Sequence, residues 1–171
     1  MVNSLVSRVV IAIIFGSVML ACDQAGNTNS EPKSRWKNRV TTDPVDGTRT
    51  VQLLIGAVNR LPSQKDRAVL VLNCESGTTD VYVIWRQYLG VYDVEVSWRV
   101  GTDPAITETW SLSTDNEATF APTPIELIKS MMNNDLFLIK TTPFGSAPVT
   151  IEFNTAGLKT EVAELRKSCG W

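Results

Sequence analysis

The sequence predicts a mainly β protein, an antiparallel β-sandwich or partly open barrel with one short internal helix and a C-terminal helix. Three observations support this fold class. Short segments rich in β-branched and aromatic residues recur at hairpin spacing, separated by turns that contain Gly, Pro or Asn. One internal segment, from Thr123 to Met132, begins like a helix. The last segment, from Leu158 to Cys169, repeats its apolar residues at helical spacing.

The first 21 residues form a predicted signal peptide. Arg8 precedes an apolar run from Val9 to Leu20. About 12 residues at about 1.5 Å each cover about 18 Å, which is too short for a hydrocarbon core of about 30 Å. The run is therefore typical of a targeting segment, which is excluded from the fold.

The apolar run ends in Met19-Leu20-Ala21-Cys22, which resembles a bacterial lipobox. The resemblance implies that the Cys22 thiol is acylated and that the lipid bilayer is one partner. An ordinary secretory signal followed by a chance cysteine is the alternative. In lipoproteins of enteric bacteria, an aspartate after the lipidated cysteine holds the protein in the inner membrane. Asp23, reinforced by Gln24, thus implies the periplasmic face of the inner membrane, with the outer membrane as the alternative.

The cysteine count agrees with lipidation. The chain has three cysteines, so a lipid on Cys22 leaves Cys74 and Cys169 as a possible pair in an oxidising compartment. Cys74 follows the apolar run 68–73, and Cys169 shares a helical face with other apolar residues. We predict a Cys74–Cys169 disulfide that joins a central strand to the last helix. Two buried, unpaired thiols are the alternative.

Between the lipid site and the fold, residues 22–38 are predicted to be a flexible tether because they are mostly polar and small. Residues 39–171 are predicted to form a single β-rich domain. Strands are predicted at 48–58, 68–73, 80–88, 92–100, 107–113, 118–120, 136–142 and 149–153.

Both helices have candidate caps in the sequence. Thr123 and Glu126 form a potential capping box, with Pro124 at the first helical position. Asn154 or Thr155 is predicted to cap the last helix.

Composition excludes several function classes. The 16 basic and 18 acidic residues are interspersed, which argues against nucleic acid as a partner. The chain contains no histidine, which removes the commonest general base and metal ligand. It also contains no Gly-x-Ser-x-Gly motif. We therefore expect a non-enzymatic protein without catalytic residues, bound metal or cofactor.

The charged and aromatic residues that could form a site have plain structural interpretations. Alternation places Asp93, Glu95 and Arg99 on the exposed face of a strand. Asp103, Glu108 and Asp115 are predicted to be scattered loop carboxylates. Trp36 and Trp171 are either partner contacts or residues that pin the chain ends.

A set of short segments follows a characteristic order and spacing along the chain. The segments are Leu70 to Cys74, Val96-Ser-Trp-Arg99, Trp110-Ser111, Phe120-Ala-Pro122, Ile139-Lys-Thr-Thr-Pro143, Phe153, Gly157-Leu158 and Leu165 to Trp171. Taken together they resemble the VasI/TagO family of type VI secretion-associated proteins, and the resemblance covers roughly residues 36–171.

The resemblance implies a periplasmic accessory protein that docks onto a cell-envelope assembly, the type VI secretion machine, through an unidentified envelope protein. The lipobox at Cys22, which is not usual in that family, adds the expectation of a lipid anchor. The alternative is a prophage or envelope-defence lipoprotein that acts as a periplasmic inhibitor or exclusion module.

The lipid anchor gives the first testable prediction. Cys22→Ser should leave an uncleaved precursor or release the domain from the membrane fraction, because no thiol remains to be acylated. Asp23→Ser should move the protein towards the outer membrane. Metabolic labelling with a fatty-acid probe and membrane fractionation measure both effects, and a wild-type chain without label at Cys22 would refute the anchor.

Overall fold

The structure is a computed structural model that describes residues 34–60 and 66–171. In these ranges nine strands form one antiparallel sheet in the order β1-β2-β3-β4-β7-β6-β5-β8-β9. The strands are β1 (Lys37–Thr42), β2 (Arg49–Gly56), β3 (Val69–Glu75), β4 (Thr78–Ile84), β5 (Val94–Val100), β6 (Ile106–Leu112), β7 (Ala118–Phe120), β8 (Leu136–Thr141) and β9 (Val149–Asn154). The helices are α1 (Pro124–Met131), α2 (Leu158–Glu161) and α3 (Ala163–Cys169).

The predicted fold class is confirmed: the protein is mainly β, and the antiparallel sheet is not closed. In β2, β4, β5, β8 and β9 alternate residues are buried in one shared core, as the period of a strand requires. In β2 the buried residues are Val51, Leu53 and Ile55, as predicted. In β3 the run from Leu70 to Cys74 is buried throughout, which confirms a central strand covered on both faces.

The sheet curls until the residues after β2 reach the edge strand β9. The Val58 N–H donates to the Glu152 carbonyl at 2.7 Å. The Asn59 side chain donates to the Thr150 carbonyl at 2.8 Å and accepts from the Glu152 N–H at 2.9 Å. Asn59 therefore pairs with β9 as a neighbouring backbone would, and β9 is covered there.

Strand β1 was not predicted. It begins at Lys37, two residues before the predicted start of the domain, and pairs antiparallel with β2. Its side chains are all exposed, so the sequence lacks the apolar alternation that marked the other strands. Trp36, just before β1, is buried, and its Nε1–H donates to the Thr155 carbonyl at 3.4 Å.

The strands next to the 85–93 segment are shorter than predicted. β4 ends at Ile84 rather than at Tyr88, and β5 begins at Val94 rather than at Tyr92. The backbone of Arg86 has φ 57° and that of Gly90 has φ 121°, and neither value fits an extended strand. Sequence alternation continued through this segment although the backbone turns.

Helix α1 buries Leu127, Ile128 and Met131 in the core. It begins at Pro124 as predicted, but the capping box was wrong. The Thr123 side chain makes no capping hydrogen bond.

The C-terminal helix is interrupted, which corrects the prediction of one continuous helix. α2 ends at Glu161 and α3 starts at Ala163, with Val162 between them. Leu158, Val162 and Leu165 are buried on one side as the spacing predicted.

The predicted caps of this helix were also wrong. The Asn154 Oδ1 accepts the Ala156 N–H, and the Thr155 hydroxyl donates to the Asn134 carbonyl. Both side chains are therefore engaged elsewhere, and Gly157 precedes the helix in the left-handed conformation, with φ 82°.

The predicted Cys74–Cys169 disulfide is present, with Cα atoms 5.9 Å apart. It attaches α3 to β3, where Cys74 is almost completely buried. In the part of the chain that the structure describes, no helix is long and apolar enough to cross a bilayer.

Loss of the disulfide should reduce stability strongly. The bond links residues 95 apart in sequence. Closing a loop of that length lowers the conformational entropy of the unfolded chain and so raises its free energy by about 4–5 kcal/mol. The whole free energy of unfolding of a typical domain is about 5–15 kcal/mol. We expect Cys169→Ala to lower the melting temperature by about 10 °C or more. Calorimetry with Cys22→Ser as the control measures this, and an unchanged wild-type melting temperature in reductant would contradict it.

Candidate docking surface

Four large apolar side chains lie exposed at one end of the sheet, and we call them the aromatic surface. Their exposed fractions are 46% for Tyr88, 66% for Val91, 83% for Tyr92 and 72% for Phe144. Clustered exposed apolar side chains are unusual on a soluble domain and mark interaction sites. Strand-like alternation predicted that Tyr88 and Tyr92 lie in strands, whereas both lie outside β4 and β5, so no sequence pattern indicated this surface.

Two buried residues fix the 85–93 segment that carries three of these side chains. Trp85 is fully buried, and its Nε1–H donates to the Thr119 hydroxyl at 2.9 Å. Leu89 is also buried, and its N–H donates to the Asn116 carbonyl at 2.9 Å. Tyr88 lies between these two anchors and points outward.

The turn that receives Leu89 is itself held by a carboxylate. Asp115 accepts hydrogen bonds from the Ser113 hydroxyl and the Glu117 N–H. These bonds, the Ser113 bond first, hold the pKa of Asp115 below its usual value. The turn therefore has its own polar support and provides a fixed base for the 85–93 segment.

Phe144 joins the surface from the β8–β9 connection. Its ring meets the Tyr88 ring edge to face, with centroids 5.9 Å apart. Its N–H donates to the Tyr88 carbonyl at 3.2 Å. Gly90, at φ 121°, lies against the same ring, so a Cβ there would be 4.0 Å from Phe144. Contacts of Phe144 with Tyr88 thus join the two loops, and Val91 and Tyr92 are exposed on the same segment as Tyr88.

The disulfide lies at the opposite end of the sheet. In the β3–β4 pair, Val69 faces Ile84 at the end from which the 85–93 segment leaves, and Cys74 faces Thr79 at the other end. There the Trp171 Nε1–H donates to the Thr79 hydroxyl at 2.9 Å. One end of the sheet is thus closed by the C-terminal segment, and the other carries the aromatic surface.

The two terminal tryptophans pin the chain ends instead of forming a contact surface. Trp36 packs in the core near Thr155. Trp171 is held by its bond to Thr79 and by the Arg166 guanidinium, 5.2 Å from its ring centroid.

The other residues considered in the sequence do not form a common site. Asp93, Glu95 and Arg99 are exposed, in agreement with the solvated face that alternation predicted, and Asp103 is exposed after the end of β5. Among the described residues there is no group of three or more acidic, cysteine or histidine side chains that could hold a metal ion. Cys22, Asp23 and Gln24 lie outside the described residues.

Glu108 lies in β6 rather than in a loop, and its carboxylate accepts hydrogen bonds from two tryptophans. Its Oε1 accepts the indole N–H of both Trp98 and Trp110, each at 2.8 Å. Alternation along β6 places Glu108 and Trp110 on one face, but the pairing that brings Trp98 beside them required the structure. The carboxylate satisfies two indole donors at the margin of the core.

Comparisons with known proteins give a family and a fold. A family model described as "Type VI secretion system VasI, EvfG, VC_A0118" matches residues 20–171. The crystal structure of invasion associated protein B from Bartonella henselae superposes with a TM-score of 0.57 and 9% sequence identity. The alignment covers 80% of this chain and 94% of that chain, which shows a shared fold. No curated protein matches this chain.

The aromatic surface should bind an apolar dye in the native protein. Replacing Val91, Tyr92 and Phe144 together by serine should abolish most of the fluorescence of anilinonaphthalene sulfonate, because the apolar area is removed. The melting temperature should change little, since exposed side chains contribute about 0.5 kcal/mol or less each. Val45→Ser is the matched control, because Val45 is 92% exposed in the β1–β2 turn. Equal fluorescence of the triple variant and wild type would contradict a continuous apolar surface.

Proposed function

Because this chain belongs to the VasI family of type VI secretion system proteins, we propose that it is a non-enzymatic accessory protein of that machine. In this proposal it is held at the periplasmic face of the inner membrane through acylated Cys22. Its folded domain docks onto an envelope protein of the machine through the aromatic surface.

The aromatic surface is the observation that carries the proposal. Tyrosine supplies much contact area with few rotatable bonds, and aromatic residues dominate the energy of many protein interfaces. The 85–93 segment and Phe144 are already held in place by Trp85, Leu89 and the contact with Tyr88. Binding there would therefore require little ordering of the free protein, which favours affinity.

Envelope location is supported by the cysteines and by the beginning of the sequence. A secretion-system component with a Cys74–Cys169 disulfide is consistent with the cell envelope, where such bonds persist. The signal peptide and the lipobox-like Cys22 support the finer assignment to a membrane face. Trp36 is 14 residues after Cys22, and an extended chain of that length reaches at most about 50 Å, so the proposed anchor allows contact with a partner away from the bilayer.

Absence of histidine supports the non-enzymatic part of the proposal. The half-buried Glu108 carboxylate is already engaged by two indole donors, which gives it a structural task.

The proposal predicts that the aromatic surface is needed for secretion. In a host lacking the chromosomal copy, the Val91→Ser/Tyr92→Ser/Phe144→Ser variant should reduce release of type VI substrates about tenfold or more. Loss of two or three interface anchors at about 1–2 kcal/mol each is enough for such a decrease. The amount of substrate in the medium, relative to cell-associated substrate, measures the effect.

Two controls make this experiment specific. Val45→Ser should secrete like wild type, and both variants should fractionate with membranes at wild-type levels. A photo-crosslinking residue at position 92 should capture an envelope protein of the secretion machine, whereas the same residue at position 45 should not. Wild-type secretion by the triple variant would refute docking through the aromatic surface.

A further inference from the structure

Strand β1 is an exposed edge of the sheet, distant in topology from the covered edge strand β9. Within residues 34–60 and 66–171 it has one neighbour, β2, with which it pairs from Lys37 to Thr42. An edge strand leaves every second backbone N–H and C=O directed away from its neighbour, ready to pair with another chain. β9 differs, because Val58 and Asn59 bond to its backbone. Among the described strands, β1 is thus the edge open to strand addition.

On the side of β1 that faces the core, an apolar side chain is only partly covered. Val40 lies opposite Val51, which is fully buried, yet Val40 is 43% exposed. The reason is geometric: Val51 has neighbours on both sides in the sheet, and Val40 has one. An apolar side chain on an added strand would lie beside Val40 and extend the core by one row.

The other side of β1 is basic. Lys37 and Arg39 point away from the core, since they alternate with Asn38 and Val40. Arg35 precedes them at the same spacing and is also exposed. Neither Lys37 nor Arg39 forms an ion pair with any residue in 34–60 or 66–171. The side chains on the outer face of an added strand would therefore lie beside the positive charges of Lys37 and Arg39.

Charge complementarity identifies the occupant. A second copy of β1 is disfavoured, because antiparallel pairing would place the Lys37 and Arg39 groups of two chains near one another. A strand whose acidic residues alternate with apolar ones complements both sides of β1. Its carboxylates face Lys37 and Arg39, and its apolar residues face Val40.

We propose that β1 is a strand-addition site that binds an extended segment of a partner protein in which acidic and apolar residues alternate. Main-chain hydrogen bonds to β1 supply much of the affinity, and the basic side chains select against neutral or basic strands. This site is separate from the aromatic surface, so either proposal can fail without the other.

The test uses the full-length chain and two synthetic peptides, one of alternating glutamate and valine and one of alternating lysine and valine. Titration calorimetry should show that the glutamate peptide binds about tenfold or more tightly than the lysine peptide, since two favourable ion pairs replace two repulsive ones. Lys37→Glu/Arg39→Glu should invert that preference. Arg99→Glu/Lys140→Glu, which changes two exposed basic residues on other strands, should leave it unchanged.

A third peptide tests for strand pairing itself. A glutamate–valine peptide N-methylated at alternate residues should lose binding in one of its two methylation patterns, because methylation removes the N–H groups that would bond to β1. Equal binding of the glutamate and lysine peptides, no binding of either, or full binding of both methylated forms would each overturn the proposal. Anionic vesicles that bind through Lys37 and Arg39 without any peptide preference would also overturn it, and would assign the basic side chains to lipid headgroups. Melting temperatures of all variants confirm that each is folded.

Discussion

The fold depends on the attachment of the C-terminal segment to the inner side of β2 and β3. The Cys74–Cys169 disulfide fixes the end of α3. Before it in the chain, Glu164 forms an ion pair with Arg49, and after it, the Trp171 indole N–H donates to the Thr79 hydroxyl. Through this attachment the segment contributes Leu158, Val162 and Leu165 to the core. A sheet that does not close must cover its core with other elements, and here α1 and the last 14 residues do so.

The C-terminal segment covers the end of the sheet at Cys74, and the loops at the other end carry the aromatic surface. Hydrogen bonds from Trp85 and Leu89 hold the 85–93 segment, and the Phe144 N–H bonds to the Tyr88 carbonyl. These bonds hold the loops while Tyr88, Tyr92 and Phe144 stay exposed. Since these aromatic side chains contribute little to the fold, they can serve binding. The two edges of the sheet differ in a similar way: β9 is covered by Val58 and Asn59, whereas no other described strand pairs with the outer edge of β1.

Sequence patterns identified the elements whose own residues carry a strong periodic signal. The alternation of Val51, Leu53 and Ile55, the continuous run that forms β3 and the helical spacing from Leu158 to Leu165 all had their expected burial. The missed features have weak or misleading patterns. β1 is polar throughout because it is an edge, and Tyr88 and Tyr92 continued a strand-like pattern across a turn set by Arg86 and Gly90.

By itself, the sequence determined the fold class, the family resemblance and the pairing of Cys74 with Cys169, since each depends on local periodicity or on the count and setting of a few residues. The aromatic surface, the double indole contact to Glu108 and the open edge at β1 were decided only by the tertiary structure. Each depends on which strands become neighbours and which end of the sheet a loop occupies. Local sequence does not encode those relations, because strand order follows from packing over the whole chain.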